Sequence, residues 1–253
     1  MRLKDKVMIV TGATSGIGEA IAKAAAAAGA RLMLTGRSVE RGERVRAACG
    51  TAAQFLPGDV SQPGFADQLV DETIRRCGRL DVLVNNAGVI HRHTAETATD
   101  EEWDHVMAVN VTAVFRLSRA GIKAMKRNGG GVIVNIGSDW SLVGGRNAFA
   151  YCASKGAVAQ MTRAMALDHA HENIRVNCVC PGEIDTPMTA AGITHRYPGL
   201  NPEQGLKQMA ADIPLGRIAH PDEIAKAVLF LASDDSSFMT GAMMSVDGGS
   251  TAA

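Results

Sequence analysis

The stretch from Lys6 to Gly36 leaves the chain little choice of fold. Lys6 to Val10 is a short apolar run that reads as a buried strand, and TGATSGIG follows it from Thr11 to Gly18. Next comes an alanine-rich helix, EAIAKAAAAAG, which stops at Gly29, a natural C-terminal cap. Ala30 to Gly36, ARLMLTG, reads as a second strand. Strand, glycine-rich turn, helix and strand within about thirty residues make a βαβ unit of the dinucleotide-binding kind. Each glycine has its own task. Gly12 permits a tight turn out of the strand, Gly16 lets a pyrophosphate approach the backbone, and Gly18 lets the helix pack close to the sheet. The start of the helix then offers free N–H groups and a positive dipole end to the phosphates.

The end of the second strand bears on which dinucleotide. In this fold an acid near that point grips the ribose 2′-hydroxyl of NAD. Here Gly36 stands where the acid would be, followed by Arg37 and Ser38. A missing carboxylate removes repulsion toward a 2′-phosphate, and an arginine can bind that phosphate with two hydrogen bonds. The sequence therefore favours NADP over NAD. The alternative is that Arg37 stacks on adenine or faces water while Ser38 caps the next helix.

The alternation continues. A helix over Val39 to Ala48 leads to a third strand, AQFLPGDV, with Asp59 and Val60 at its end. Asp59 is placed to meet the adenine amino group, or to cap the helix predicted from Pro63 to Cys77. A fourth strand, Leu80 to Val84, runs into Asn85, Asn86, Ala87 and Gly88, small residues and amides that suit close approach of a cofactor. His91, Arg92 and His93 follow in a loop that either contacts a polar or acidic substrate or is simply solvated. Their HxH spacing lacks a third ligand, so no metal is expected. Thr99 to Arg127 is one long helical pattern with Asn110 in its middle. An amide among apolar residues needs a partner; it either opens the helix to hold a water for Lys155 or is satisfied by a neighbouring loop. Gly131 to Ile136 is the fifth strand, Asn173 to Cys180 the sixth and Met243 to Val246 the seventh, with a helix over Pro221 to Ser233. Between Pro187 and Gly216 the pattern weakens under scattered Gly, Pro and Met, and a mobile substrate lid is expected there.

Chemistry concentrates between Ser138 and Lys155. Tyr151 and Lys155 are four residues apart on a helix that runs to about His171, so they share a face. A free tyrosine has a pKa near ~10, and lowering it to roughly 7 takes about 4 kcal/mol. One positive charge about 4 Å away, at an effective dielectric of about 20, supplies that order of energy. Tyr151 is thereby a candidate general acid/base, and Ser138, at the end of the fifth strand, a candidate donor to a substrate oxygen. Pro181, Gly182, Glu183, Ile184, Asp185 and Thr186 follow the sixth strand, where Thr186 serves a carboxamide such as that of nicotinamide, or caps a helix.

These motifs taken together resemble the short-chain dehydrogenase/reductase family over nearly the whole chain: TGATSGIG, Asp59, Asn85 to Gly88, Asn110, Ser138, Tyr151 with Lys155, and PGEIDT from Pro181 to Thr186. The resemblance implies a Rossmann-type α/β fold, a doubly wound seven-stranded parallel sheet flanked by helices, in one domain over residues 1–253 with a lid at about 187–216. It implies a catalytic tetrad of Asn110, Ser138, Tyr151 and Lys155. Tyr151 would move the proton, Ser138 orient the carbonyl or hydroxyl, Lys155 lower the tyrosine pKa and bind ribose, and Asn110 hold a water in a relay. Cofactor contacts are implied at Gly12, Thr14, Ser15, Gly16, Ile17 and Gly18, at Arg37 and Ser38, and at Asp59 and Val60. Further ones fall at Asn86, Ala87 and Gly88, at Tyr151 and Lys155, and at Pro181, Gly182, Ile184 and Thr186. Relatives that use NADP often carry a basic residue where this chain has Ser15. Trp140 stands where many relatives have something smaller and is expected to wall the substrate pocket with Leu142, Phe149 and Met188. His91, Arg92 and Glu183 complete the expected substrate residues, on a rim that Asp139 and Arg146 make polar.

Composition narrows partners and place. Lys plus Arg equals Asp plus Glu, 26 each, so no basic field speaks for nucleic acid or a membrane surface. No leader is read at MRLKDKVMIVTG, and no apolar run is long enough to span a bilayer. Five cysteines show neither a disulfide framework nor a zinc spacing, and Cys178 and Cys180 are read as facing opposite ways. A cytoplasmic enzyme is expected, one moving hydride between NADP or NAD and a small carbonyl or alcohol substrate, and assembling as a homotetramer or homodimer. An NAD-linked polyol or sugar-alcohol dehydrogenase is the first alternative. A dinucleotide sensor without catalysis and an epimerase are others.

Overall fold

The computed structural model describes residues 3–252, so the outermost positions of the 1–253 domain reading lie outside it. The strands are β1 Val7–Thr11, β2 Arg31–Gly36, β3 Ala53–Pro57, β4 Val82–Asn85, β5 Gly131–Ile136, β6 Ile174–Pro181 and β7 Met243–Val246. They form one seven-stranded sheet in the order β3-β2-β1-β4-β5-β6-β7, parallel at every pairing. The helices are α1 Gly16–Ala27, α2 Val39–Ala48, α3 Phe65–Cys77, α4 Asp100–Met107, α5 Ala113–Arg127, α6 Phe149–His169, α7 Pro187–Arg196, α8 Pro202–Ala211 and α9 Pro221–Ala232.

The central strands are apolar without alternation because both faces are covered. On β1, Met8 and Val10 enter the core beneath α1 and α9, while Ile9 enters the opposite core beneath α3 and α5. Leu32 and Leu34 against Met33 repeat the pattern on β2, and Val82 and Val84 against Leu83 repeat it on β4.

Four expectations need correction. Cys178 and Cys180 share a face, as any two residues at i and i+2 on a strand do; their buried sulfurs are 3.9 Å apart, and all five cysteines are free. Asp59 and Val60 lie beyond β3, which ends at Pro57. The helical pattern from Thr99 is not continuous: one π-helical turn, Ala108–Thr112, separates α4 from α5, and Asn110 sits in it. The segment 187–216, expected to be irregular, holds two helices. Pro187 and Pro202 occupy first-turn positions, where a missing N–H costs nothing. Its two helical glycines sit at close contacts: a Cβ on Gly205 would come 2.5 Å from Ile193 Cγ2, and one on Gly192 would come 2.8 Å from Arg92 Nε.

Candidate active site

The sheet order reverses between β1 and β4, and a cleft opens beyond the C-terminal ends of the strands at that point, where open α/β sheets bind ligands. Its floor is tied together by side chains. Thr11 Oγ1 accepts from the N–H groups of Asn86 and Ala87, both at 3.0 Å, and hooks the end of β4 onto β1. Asn86 Nδ2 donates to Thr11 O at 2.8 Å. The Asn86 side chain therefore braces the floor that the residue also lines. Gly12 has φ +62°, a left-handed conformation that favours glycine. A Cβ on Gly18 would fall 2.2 Å from Gly12 O, so this glycine lets α1 start against the turn itself.

The cofactor residues inferred from sequence, from Gly12 through Thr186, all line this one cleft. The start of α1 faces it, and glycines leave its wall bare, so the site fits an extended dinucleotide with its phosphates at the helix N-terminus. At one end stand Arg37, Ser38, Asp59 and Val60, joined by Arg41, which sequence reasoning passed over. The signal was available: Ser38 caps α2 by accepting from Arg41 N at 3.3 Å, and that first helical turn brings Arg41 back to the cleft. A Cβ at Gly36 would lie 2.5 Å from Thr14 Cγ2, so the expected place of an acid is partly filled by Thr14. Asp59 Oδ1 accepts from Ser61 N and Oγ, at 2.9 and 2.7 Å, and caps no helix. Burial pushes its carboxyl up, but the Ser61 bonds and then the Arg37 charge bring it below the ordinary carboxylate value.

At the other end β5 delivers Ser138, and α6 delivers Tyr151 and Lys155. Lys155 is buried, and Nζ donates to Ile136 O at 2.7 Å. Burial depresses its pKa to about 8, against smaller opposing effects of Cys178 and Cys180. The ammonium lies 5.5 Å from the centre of the Tyr151 ring. The expected lowering of the tyrosine is absent: burial pushes its hydroxyl up to about 12, Ser138 and Arg92 pull it down, and Asp139 and Cys152 add to the rise. The ammonium donates to a carbonyl, and Tyr151, only partly buried, lines the cleft.

Asn110 does not line the cleft but stands behind Gly88, whose added Cβ would come 3.5 Å from Asn110 Oδ1 and 3.7 Å from Lys155 Nζ. Its amide is satisfied by protein. Oδ1 accepts from Val89 N at 2.9 Å, and Nδ2 donates to Val89 O at 2.9 Å and Ser154 Oγ at 3.0 Å. The π turn opens the helix as expected, and the loop after β4 fills the opening. Thr186 caps α7, its hydroxyl accepting from Thr189 N at 3.3 Å, while also lining the cleft.

A smaller chamber adjoins Tyr151 and Ser138, walled by Arg92, Asp139, Trp140, Glu183 and Met188. The Trp140 ring stands edge-on to Tyr151, centroids 5.9 Å apart. Ser138 Oγ donates to Asp139 Oδ1 at 2.7 Å, and Trp140 N donates to the same oxygen at 2.9 Å. Burial raises the Asp139 carboxyl despite both bonds. Ile90, Gly182 and Thr189 complete the wall; Thr189, three residues past the Thr186 cap, is a position the cap spacing would have given. Three expected substrate residues stand elsewhere. Leu142 is exposed, Phe149 is exposed with its ring against Trp103, and His91 meets His105 at 3.1 Å, ring nitrogen to ring nitrogen. Glu102 pairs with His93 at 2.9 Å, and among the described residues no cluster suited to a metal occurs.

The family model described as enoyl-(acyl carrier protein) reductase matches residues 12–251. Cyclopentanol dehydrogenase of Comamonas sp. is 41% identical over 254 residues, covering 99% of each chain. Among solved structures, levodione reductase superposes with a TM-score of 0.96 at 34% identity over the full length of both chains. A 3-ketoacyl-(acyl-carrier-protein) reductase from Brucella melitensis, complexed with NADH, gives 0.91 at 35%, covering 98% of this chain and 99% of its own.

Proposed function

The chain belongs to the short-chain dehydrogenase/reductase family, and from that premise we propose how its residues divide the work. It is an oxidoreductase that moves hydride between a nicotinamide dinucleotide and a carbonyl or secondary-alcohol carbon. The dinucleotide, when bound, supplies or takes the hydride. The observation that carries the assignment of roles is the convergence of Ser138, Tyr151 and Lys155 at one end of the cleft.

Tyr151 is the proton donor in reduction. With its pKa pushed up to about 12 it keeps its proton at neutral pH, the state an acid needs. Ser138 holds the substrate oxygen. Lys155, anchored on Ile136 O, is the cation that would meet the ribose of the bound dinucleotide. Asn110 acts as a brace that fixes the loop after β4 against α6. In this reading residues 1–253 work as one domain, the helices α7 and α8 form the lid, and the enzyme is a cytoplasmic homotetramer. Exposed apolar side chains on the two long helices, Phe115 and Leu167, support assembly. Arg37 and Arg41 give a 2′-phosphate two cations and compensate for Ser15, which favours NADP.

Replacing Tyr151 with Phe tests the roles. General acid catalysis is worth about 10²–10⁴-fold, so kcat should fall by that order while NADPH still binds; near-normal turnover sinks the assignment. Fluorescence titration with NADPH and NADH tests the coenzyme. NADPH should bind more tightly, and Arg37→Ala or Arg41→Ala should weaken it by roughly tenfold, the scale of one charge-assisted bond. Equal or tighter NADH binding rules the phosphate clamp out.

A further inference from the structure

Arg92 is a charged chamber residue that neither the hydride reaction nor the acids of the chamber engage. The loop after β4 turns its side chain inward, with the guanidinium 5.9 Å from the centre of the Trp140 ring. Helix α7 is shaped around it: a Cβ on Gly192 would come 2.8 Å from Arg92 Nε. Its Nε is buried without a hydrogen-bond partner, and among the described residues no carboxylate pairs with the guanidinium. The two acids of the chamber are engaged elsewhere. Glu183 forms an ion pair with Arg196, and Asp139 accepts from Ser138 and Trp140. A half-buried guanidinium lacking a counter-ion is costly, and natural sites place one where an oxyanion arrives to complete it. The planar fork of arginine matches a carboxylate with two parallel hydrogen bonds.

We propose that Arg92 is the specificity determinant of this site: it receives a carboxylate carried by the substrate, which is therefore an oxo or hydroxy acid whose reacting carbon lies at Tyr151. The inference rests on the reading of Tyr151 as the reacting centre. Trp140 touches both groups, its ring centre 5.9 Å from the guanidinium and 5.9 Å from the Tyr151 ring. Met188 and Trp140 give the carbon skeleton between them an apolar wall.

The test uses matched probes with the full-length enzyme and NADPH: 4-oxocyclohexanecarboxylate, its methyl ester, and cyclohexanone. The acid should exceed the ester in kcat/KM by about 10-fold or more, the scale of a charge-assisted pair. Arg92→Met should collapse that acid-to-ester ratio toward one, and Arg92→Lys should restore part of it. Gly192→Ala, which pushes on the guanidinium without removing it, should lower the ratio in the same direction and covers the case in which Arg92→Met fails to fold. A second readout needs no turnover. Tryptophan emission should respond to the acid in the wild type, weakly to the ester, and not to the acid in Arg92→Met. An acid that titrates the emission while no ketone is reduced would keep Arg92 as the carboxylate receptor and sink the reading of Tyr151 as the reacting centre. An enzyme that reduces cyclohexanone but treats acid and ester alike overturns this proposal and leaves Tyr151 in place. Response to inorganic phosphate but not to the acid overturns it in favour of a phosphorylated substrate.

Discussion

Lys155 carries its charge in a buried place, and that has a measurable signature. Its pKa, ordinarily 10.5, is depressed to about 8 by burial. Between those values the unfolded chain holds the proton and the folded one does not, so stability rises with pH. The contribution is complete above 10.5, is lost as pH falls through about 8, and amounts to about 3 kcal/mol. Tyr151 has the opposite sign. Its raised pKa gives stability that is present below 10 and lost as pH rises through about 12. Thermal melting of the coenzyme-free protein should therefore show Tm climbing between pH 8 and 10, and Lys155→Met should flatten the climb; an unchanged slope in the variant refutes it. At this scale the spacing of Ser138, Tyr151 and Lys155 was legible in the sequence. The direction of the tyrosine shift was not. Spacing says which groups are neighbours, whereas burial and the choice of Ile136 O as partner for the ammonium depend on the packed fold.

The elements are held in place by a line of buried amides and hydroxyls. Asn85 Nδ2 donates to Ser118 Oγ of α5 at 3.1 Å and to Asn135 Oδ1 of β5 at 2.9 Å. Asn135 Nδ2 donates to Thr162 Oγ1 of α6 at 2.8 Å. The line ties both long helices to the sheet beneath the reacting centre. Asn135→Leu removes two of these bonds and strands buried polar groups, each costing about 1–3 kcal/mol. Urea denaturation should show a loss of roughly 2–4 kcal/mol, and a loss below about 1 kcal/mol would mean that the line is incidental. Asn135 was invisible as a brace in the sequence, being one polar letter in an apolar run. Helices α7 and α8 were missed for another reason. Proline and glycine suggest irregularity until they are placed, and TP at Thr186 and NPEQ at Asn201 are caps followed by first-turn prolines. The break at Asn110 was legible because an amide amid apolar residues has to find a partner.

For the molecule as a whole, the seven parallel strands were readable because apolar runs and helical patterns alternate along the chain, a rhythm few folds can satisfy. Assembly is less legible, since an apolar residue on a helix looks the same whether it meets a sheet or another subunit. Leu167 on α6 is 81% exposed and Phe238 is fully exposed. If the proposed homotetramer forms through Leu167, Leu167→Glu should lower the sedimenting mass to a dimer or monomer, and an unchanged mass would place the interface elsewhere. The fit of Arg92 against Gly192 joins a loop in the first half of the chain to a helix in the last third. In terms of descent, neither position is free to drift alone. A lineage that takes a side chain at 192 must first release the arginine, and one that loses the arginine frees 192 to change. The two sites should therefore be inherited as a pair, and a change of substrate in this lineage would leave its mark at both.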